Sequence, residues 1–128
     1  MKTALRLIFG LLILLAPAAA QAAAPTVVFD TDTHDFGNIK ATGGPVSYEY
    51  TFTNTGTEPL VIVSVTNGGC GCTTPSFPKA PVAPGKTGKI KITFNPVGRK
   101  GEFNREVKVR TNGNPKRIGL KFSGVVIP

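Results

Sequence analysis

The sequence predicts an all-β sandwich that follows a cleaved signal peptide. The first 24 residues are an apolar segment with a positively charged start, and alternating apolar and polar residues recur in the remainder. Turn-forming residues are frequent, with 15 glycines and 11 prolines in a chain of 128 residues, and they divide the alternating segments into short lengths. Alternation with period two is typical of strands that bury one face.

The N-terminal segment has the three parts of a secretory signal peptide. Lys2 and Arg6 supply positive charge, residues 5–15 are almost all apolar, and an alanine-rich stretch follows. The apolar run is shorter than the roughly 20 residues that a membrane-spanning helix needs. Ala20-Gln21-Ala22 fits the small-x-small cleavage pattern, so we expect residues 1–22 to be removed.

We expect export to place the protein in the periplasm or outside the cell, with no transmembrane segment left after cleavage. The loss of Lys2 and Arg6 leaves 13 basic residues against seven acidic ones, a net charge of +6. Such a charge favours weak attraction to anionic surfaces such as lipid head groups. Nucleic acid is not expected as a partner, because export removes the protein from the compartment that holds it. We expect the partner to be another envelope protein.

Four segments of the mature chain alternate with period two, and we predict each as a strand with one buried face. They are residues 46–52, 89–94, 106–110 and 117–122. Their inward side chains, together with Ile62, form the predicted core. Its members are Tyr48, Tyr50, Phe52, Ile62, Ile90, Ile92, Phe94, Val107, Val109, Leu120 and Phe122.

Three further segments complete the prediction. Residues 60–65 are a continuous, mostly β-branched run, which indicates a central strand, and residues 27–29 with 36–39 indicate a broken first strand. Residues 73–84 contain four prolines and must be an edge segment or a long loop. About seven strands with frequent turns predict an immunoglobulin-like sandwich over residues 26–128, although tryptophan and a widely spaced cysteine pair are absent.

The predicted register can be tested at one charged residue. In sandwiches of this type the second strand usually pairs with the fifth, which places Glu49 across from Lys89 or Lys91 on an outer face.

The mature chain resembles domain-of-unknown-function family 1573, exported bacterial immunoglobulin-like domains related to the major sperm protein and to cilia-associated ASH-type sandwiches. The elements that carry the resemblance are His34-Asp-Phe-Gly37, Phe52-Thr-Asn-Thr-Gly56, Pro59-Leu-Val-Ile62, Cys70-Gly-Cys-Thr73, Pro84-Gly85, Ile92-Thr-Phe94 and Thr111-Asn112. The resemblance implies an immunoglobulin-like sandwich in the bacterial envelope. It also implies binding or scaffolding, the chief activity of the known relatives, and leaves any chemistry open.

The two cysteines, Cys70 and Cys72, lie in a glycine-rich segment that we expect at an exposed end of the sandwich. Three interpretations stay open: a local disulfide, a Cu(I) site made of two thiolates, or a turn with two reduced thiols. A chain that bends at Gly71 brings the two Cα atoms within disulfide range. A structural zinc site needs about four ligands, whereas the mature chain offers two cysteines and one histidine.

Thiol–disulfide catalysis is a further alternative for the same cysteines. A reactive thiol needs a helix N-terminus or a cationic neighbour. No helix is predicted after Cys72, since Pro75 and Pro78 indicate extended chain.

The remaining chemistry-bearing residues favour structural roles. His34 is the only histidine, and a catalytic base would need a nucleophile and an orienting acid beside it. Asp30, Asp32 and Asp35 are acidic neighbours without the spacing of a calcium loop.

Outward-facing basic residues on the last two strands form one candidate basic surface if those strands pair. They are Lys108, Arg110, Arg117 and Lys121.

These observations predict a protein that is not an enzyme and needs no cofactor: an envelope interaction or scaffolding module. The alternative is a Cu(I) or thiol-redox carrier that uses Cys70 and Cys72.

Overall fold

The computed structural model describes residues 24–128, and the predicted signal peptide lies outside them. Eight strands and no helix are found in this range, so no helix in the described part of the chain could cross a membrane. The strands are β1 (Val27–Phe29), β2 (Thr33–Lys40), β3 (Val46–Asn54), β4 (Ile62–Val65), β5 (Thr73–Ser76), β6 (Thr87–Phe94), β7 (Gly101–Thr111) and β8 (Arg117–Ile127).

The strands form two four-stranded sheets that pack face to face, which confirms the predicted β-sandwich. One sheet has the order β1-β3-β6-β5 and the other the order β2-β8-β7-β4. All neighbours are antiparallel except β2 and β8, which run parallel.

The prediction of a single broken first strand is wrong, and it accounts for the eighth strand. β1 pairs with β3, whereas β2 pairs with β8 in the opposite sheet. The chain crosses between the sheets at residues 30–32, so the break is a change of sheet rather than a bulge within one strand.

The predicted core is confirmed except at Tyr48, which is only partly buried. Leu60, Phe103 and Val126 join the core although they were not predicted as members. Phe94 is fully buried, and its ring centroid lies 4.3 Å from that of Phe103. Aromatic contact between the two sheets therefore occupies the middle of the sandwich.

The predicted register of Glu49 is confirmed. Glu49 lies directly across from Lys91 on β6, and its Oε1 is 3.6 Å from Nζ of Lys89. Both partners of this ion pair are more than half exposed, so the pair identifies the register and adds little to stability.

The prediction of a central strand at residues 60–65 is wrong. Leu60 forms an isolated bridge with Val82, and β4 begins at Ile62 as an edge strand beside β7. Val63 is half exposed, because an apolar, β-branched run does not by itself distinguish an edge from the middle of a sheet. The proline-rich segment is an edge as predicted, since it begins with β5 at the rim of its sheet.

A buried asparagine closes the end of the sandwich where β6 begins. Asn54 is completely buried, and its Nδ2 donates to the carbonyl oxygens of Glu58 and Val82 at 2.8 and 2.9 Å. Its Oδ1 accepts from the backbone N–H groups of Thr26 and Gly56. The asparagine of the Phe52-Thr-Asn-Thr-Gly56 element thus joins three loops and leaves no side-chain polar atom unpaired.

Candidate functional site

The two cysteines lie at the opposite end of the sandwich, in the connection between β4 and β5. The backbone N–H of Asn95, one residue after β6, donates to the carbonyl oxygen of Cys72 at 2.9 Å. The cysteine loop is therefore attached to the end of β6.

The glycines before the cysteines are required by the path of the chain. Gly68 and Gly69 have φ angles of +70° and +81°, a region that favours glycine. A Cβ atom on Gly68 would also lie 2.6 Å from the carbonyl oxygen of Glu106 on β7. The Oδ1 atom of Asn67 accepts from the N–H of Gly69 at 2.8 Å. This turn directs the chain onto Cys70.

Cys70 and Cys72 are joined by a disulfide with a Cα–Cα distance of 5.2 Å. Of the three open interpretations, the structure contains the local disulfide. The cysteines lie in a loop at the end of the sandwich, as expected, but Cys70 is only 7% exposed, while Cys72 stays partly exposed and packs against the core. Two backbone hydrogen bonds hold Cys70 in this inward position. The N–H of Cys70 donates to the carbonyl of Asn67, and the carbonyl of Cys70 accepts from the N–H of Thr73.

A cation lies against the buried sulfur. Nη2 of Arg99, from the turn between β6 and β7, donates to Sγ of Cys70 at 3.0 Å. The backbone N–H of Cys72 donates to the same sulfur at 3.1 Å. Sγ of Cys72 has one contact of this kind, to Oγ1 of Thr73 at 3.6 Å. The two sulfurs thus differ in both hydrogen bonding and burial.

Sequence reasoning missed Arg99. Arg99 is 29 residues from Cys70 along the chain, so nothing in the sequence links the two residues directly. The signal that could have found it is the pairing of β5 with β6, because this pairing brings the turn after β6 beside the cysteine loop. The ion pairs formed within residues 24–128 involve Lys89 and Lys108, so Arg99 has no carboxylate partner there.

The four candidate basic residues lie on paired strands. Arg110 is directly opposite Arg117, and all four side chains are exposed on the outer face of the β7–β8 ladder. An acidic residue interrupts the row: Glu106 lies opposite Lys121, and its Oε1 is 3.9 Å from Nζ of Lys108. Of the four residues, Arg110 and Arg117 are the two that lie directly opposite each other.

His34 and Tyr48 form a stacked pair with ring centroids 3.7 Å apart. The neighbouring Asp35 is exposed, and its Oδ1 accepts from the N–H of Gly37 at 2.8 Å. The ring of His34 packs between aromatic side chains, as its edge also meets Phe36. No three His, Cys, Asp or Glu side chains within residues 24–128 converge as a metal-binding group.

Tyr50 connects the two sheets through its hydroxyl group. The hydroxyl donates to the carbonyl oxygen of Lys121 at 2.6 Å, and the residue is completely buried. Burial raises the pKa of Tyr50 above its usual value, and the nearby Tyr48 and Asp32 raise this pKa further.

β2 is the longest of the four edge strands. It has eight residues, whereas the edges β1, β4 and β5 have three or four. On the side that faces β8, the backbone N–H of Lys121 donates to the carbonyl of Asp32, and the backbone N–H of Ala41 donates to the carbonyl of Ile127. Backbone groups alternate in direction along a strand, so the N–H of Lys40 points to the open side.

The family model of a protein of unknown function (DUF1573) matches residues 27–126 of this chain. The chain belongs to this family. Among curated proteins, none matches the sequence.

Solved structures with the same fold include bacterial proteins and a domain of a human protein. A protein of unknown function from Porphyromonas gingivalis W83 superposes with a TM-score of 0.70 and 18% identity, over 83% of this chain and 50% of that one. The Vibrio cholerae VesB protease superposes with a TM-score of 0.64 and 15% identity, over 78% of this chain and 32% of that one. The ASH / PapD-like domain 7 of human CEP192 superposes with a TM-score of 0.60 and 14% identity, over 84% of this chain and 89% of that one. This chain therefore spans half or less of the two bacterial proteins, and at these identities the likeness shows the immunoglobulin-like and PapD-like fold alone.

Proposed function

We propose that this DUF1573 protein is a non-catalytic interaction module of the bacterial envelope, and that it binds another envelope protein by accepting a strand from it. The observation that carries this proposal is the open edge of β2. An extended segment that adds to a sheet edge gains main-chain hydrogen bonds along its length, and alternate side chains supply the specificity.

The other edges are less suited to this role. β1 has three residues, and β5 contains Pro75, which lacks a donor for a ladder. β4 has four residues and a register shift between Ile62 and Ser64. β2 has its own irregularity between Asp35 and Asn38. It still runs as one strand of eight residues with a paired part on each side of the irregularity, and Lys40 in the second part offers an outward N–H.

The periplasmic or secreted location is part of the proposal. It is supported by the signal-peptide pattern of residues 1–22 and by a cysteine pair joined as a disulfide, a bond that persists in oxidising compartments. The lack of hydrolytic activity is likewise proposed. It is supported by the packing of His34 between aromatic rings rather than beside a nucleophile.

A matched pair of variants tests strand addition. Lys40→Pro removes the outward N–H, whereas Lys40→Thr removes the same charge and side chain but keeps the donor. Both variants are exported from cells with an affinity tag, crosslinked in the envelope and purified. The captured partner should be retained by Lys40→Thr and lost by Lys40→Pro, with similar thermal unfolding for both. Equal capture by the two variants would contradict strand addition at β2.

A second candidate function is a Cu(I) or thiol-redox carrier, and the contact between Arg99 and Cys70 favours it. Within residues 24–128 this cation has no carboxylate partner, and a cation beside a sulfur is the environment that activates cysteine. Either form of carrier requires that the disulfide be reduced while the protein stays folded. Treatment with dithiothreitol, with thiols counted and folding followed by circular dichroism, tests this requirement. Titration of the reduced protein with Cu(I) then separates the metal carrier from the redox carrier.

A further inference from the structure

We infer that the Cys70–Cys72 disulfide is a thiol–disulfide exchange site with a fixed direction of attack: an external thiolate attacks Sγ of Cys72, and Cys70 leaves as a thiolate held by Arg99. This inference rests on the redox form of the carrier function and assigns a role to each of the three side chains.

The hydrogen bonds distinguish the two sulfurs. Sγ of Cys70 accepts from the guanidinium of Arg99 at 3.0 Å and from the N–H of Cys72 at 3.1 Å. A thiolate is a stronger acceptor than a disulfide sulfur, so both donors stabilise the charged form that appears when the bond breaks. Within residues 24–128, Sγ of Cys72 has one hydrogen-bonding contact, to Oγ1 of Thr73 at the longer distance of 3.6 Å.

Exposure distinguishes them in the same direction. Cys70 is 7% exposed and lies under the turn that begins at Asn67, whereas Cys72 is partly exposed. The attacking thiolate must reach the sulfur it binds, while the leaving sulfur needs only its stabilising donors. Rates of exchange increase as the leaving thiol becomes more acidic. The more exposed cysteine and the cysteine whose sulfur accepts from Arg99 are thus different residues, as a directed exchange requires.

Electrons and atoms balance over two steps. In the first, the external thiolate forms a bond to Sγ of Cys72, and the electron pair of the broken disulfide moves to Sγ of Cys70. In the second, another thiolate attacks the external sulfur of this mixed disulfide and releases Cys72 as a thiolate. The products are an oxidised external disulfide and two cysteines that take up protons from water. The co-reactant is a dithiol or two monothiols.

The charge on Arg99 is available for this purpose. Within residues 24–128, neither of the ion pairs involves Arg99, so no carboxylate neutralises its guanidinium. Lys100 is the next residue and carries the same charge, but no hydrogen bond joins it to either sulfur within the described residues. Lys100→Gln is therefore the matched control for the loss of one positive charge in this turn.

The test measures the rate of disulfide reduction by dithiothreitol in the folded protein, for the wild type and for Arg99→Gln, Arg99→Lys and Lys100→Gln. Quenching with a maleimide and intact mass count the free thiols at each time. Arg99→Gln should slow reduction by about tenfold, because the leaving thiolate loses its cation. Arg99→Lys should recover part of the rate, and Lys100→Gln should stay within about twofold of the wild type.

A second readout locates the attack. The wild-type protein is treated briefly with glutathione, quenched with acid, and mapped by mass spectrometry of its peptides. Glutathione should be attached to Cys72, with Cys70 free. Attachment to Cys70, or an Arg99→Gln variant reduced as fast as the wild type, would overturn the inference and leave the carrier function intact. A wild-type disulfide that resists dithiothreitol until the protein unfolds would overturn both.

Discussion

The two ends of β6 hold polar groups in different ways. At the start of the strand, Asn54 is completely buried, and both its amide nitrogen and its oxygen are paired within the protein. Beyond its end, the guanidinium of Arg99 meets a sulfur and no carboxylate within residues 24–128. The first arrangement uses all of its hydrogen-bonding capacity to hold loops together. The second keeps a cation next to a bond that can be broken.

The difference separates the residues that hold this fold from those to which the proposed carrier function assigns chemistry. A buried polar group whose partners are all internal stabilises one fold, and its removal leaves donors and acceptors unpaired. A cation held by one neutral contact gains more when its neighbour becomes an anion. We therefore expect substitutions in the core and at Asn54 to reduce stability, and substitutions at the cysteine end to affect exchange.

The largest loss of stability is expected for a substitution in the hydrophobic core between the two ends. Phe94→Ala removes a fully buried ring from a stack with Phe103 and should lower the free energy of unfolding by about 3–5 kcal/mol. Val97→Ala, three residues away and mostly exposed, is the control and should stay within about 0.5 kcal/mol. Urea unfolding measures both, and a loss below about 1 kcal/mol for Phe94→Ala would show that the two sheets do not pack there.

The next largest loss should follow removal of the asparagine side chain. Asn54→Ala leaves the carbonyl oxygen of Glu58 and the N–H groups of Thr26 and Gly56 without their partner, while the carbonyl of Val82 keeps the N–H of Leu60, and the change should cost about 2–3 kcal/mol. The exposed Asn38→Ala is the matched control and should change stability by less than about 0.5 kcal/mol. If the two alanine variants unfold at the same urea concentration, the structural interpretation of Asn54 is wrong.

A smaller effect is expected at the link between the sheets. Tyr50→Phe removes the hydrogen bond to Lys121 and should cost about 1 kcal/mol at neutral pH. Tyrosine ionises at about pH 10 in the unfolded chain, whereas burial raises the pKa of Tyr50 in the folded protein. The folded state therefore holds more protons above that pH, and stability falls as pH rises. Unfolding at pH 7 and about pH 10.5 should show a smaller decline for Tyr50→Phe than for the wild type, and equal declines would exclude this origin.

The strands could be predicted from the sequence where one face of a strand is buried, because alternation reports burial directly. This holds for β3, β6, β7 and β8, and the usual pairing of the second and fifth strands in such sandwiches then placed Glu49 across from Lys91. Alternation carries no information on which sheet a strand joins. For that reason it does not distinguish β1 and β2 from one broken strand, or residues 60–65 from a central strand.

The candidate site could be predicted only in part. The glycines and cysteines indicated a turn in which a disulfide was one of three open interpretations, since they are neighbours in sequence. Arg99 could not be assigned to them, because its contact depends on the pairing of β5 with β6 and on the direction of the turn that follows β6. The inward position of Cys70 depends on the same packing and left no pattern in the sequence.

The most direct test of the difference between the two ends is the stability of the protein in which both cysteines are replaced by serine. A disulfide that closes a ring of three residues restricts the unfolded chain little. We predict that the free energy of unfolding of Cys70→Ser/Cys72→Ser, measured in urea, lies within about 1 kcal/mol of the wild-type value. A double variant that fails to fold would show that the disulfide is a structural element like Asn54, and would contradict the assignment of this end to chemistry.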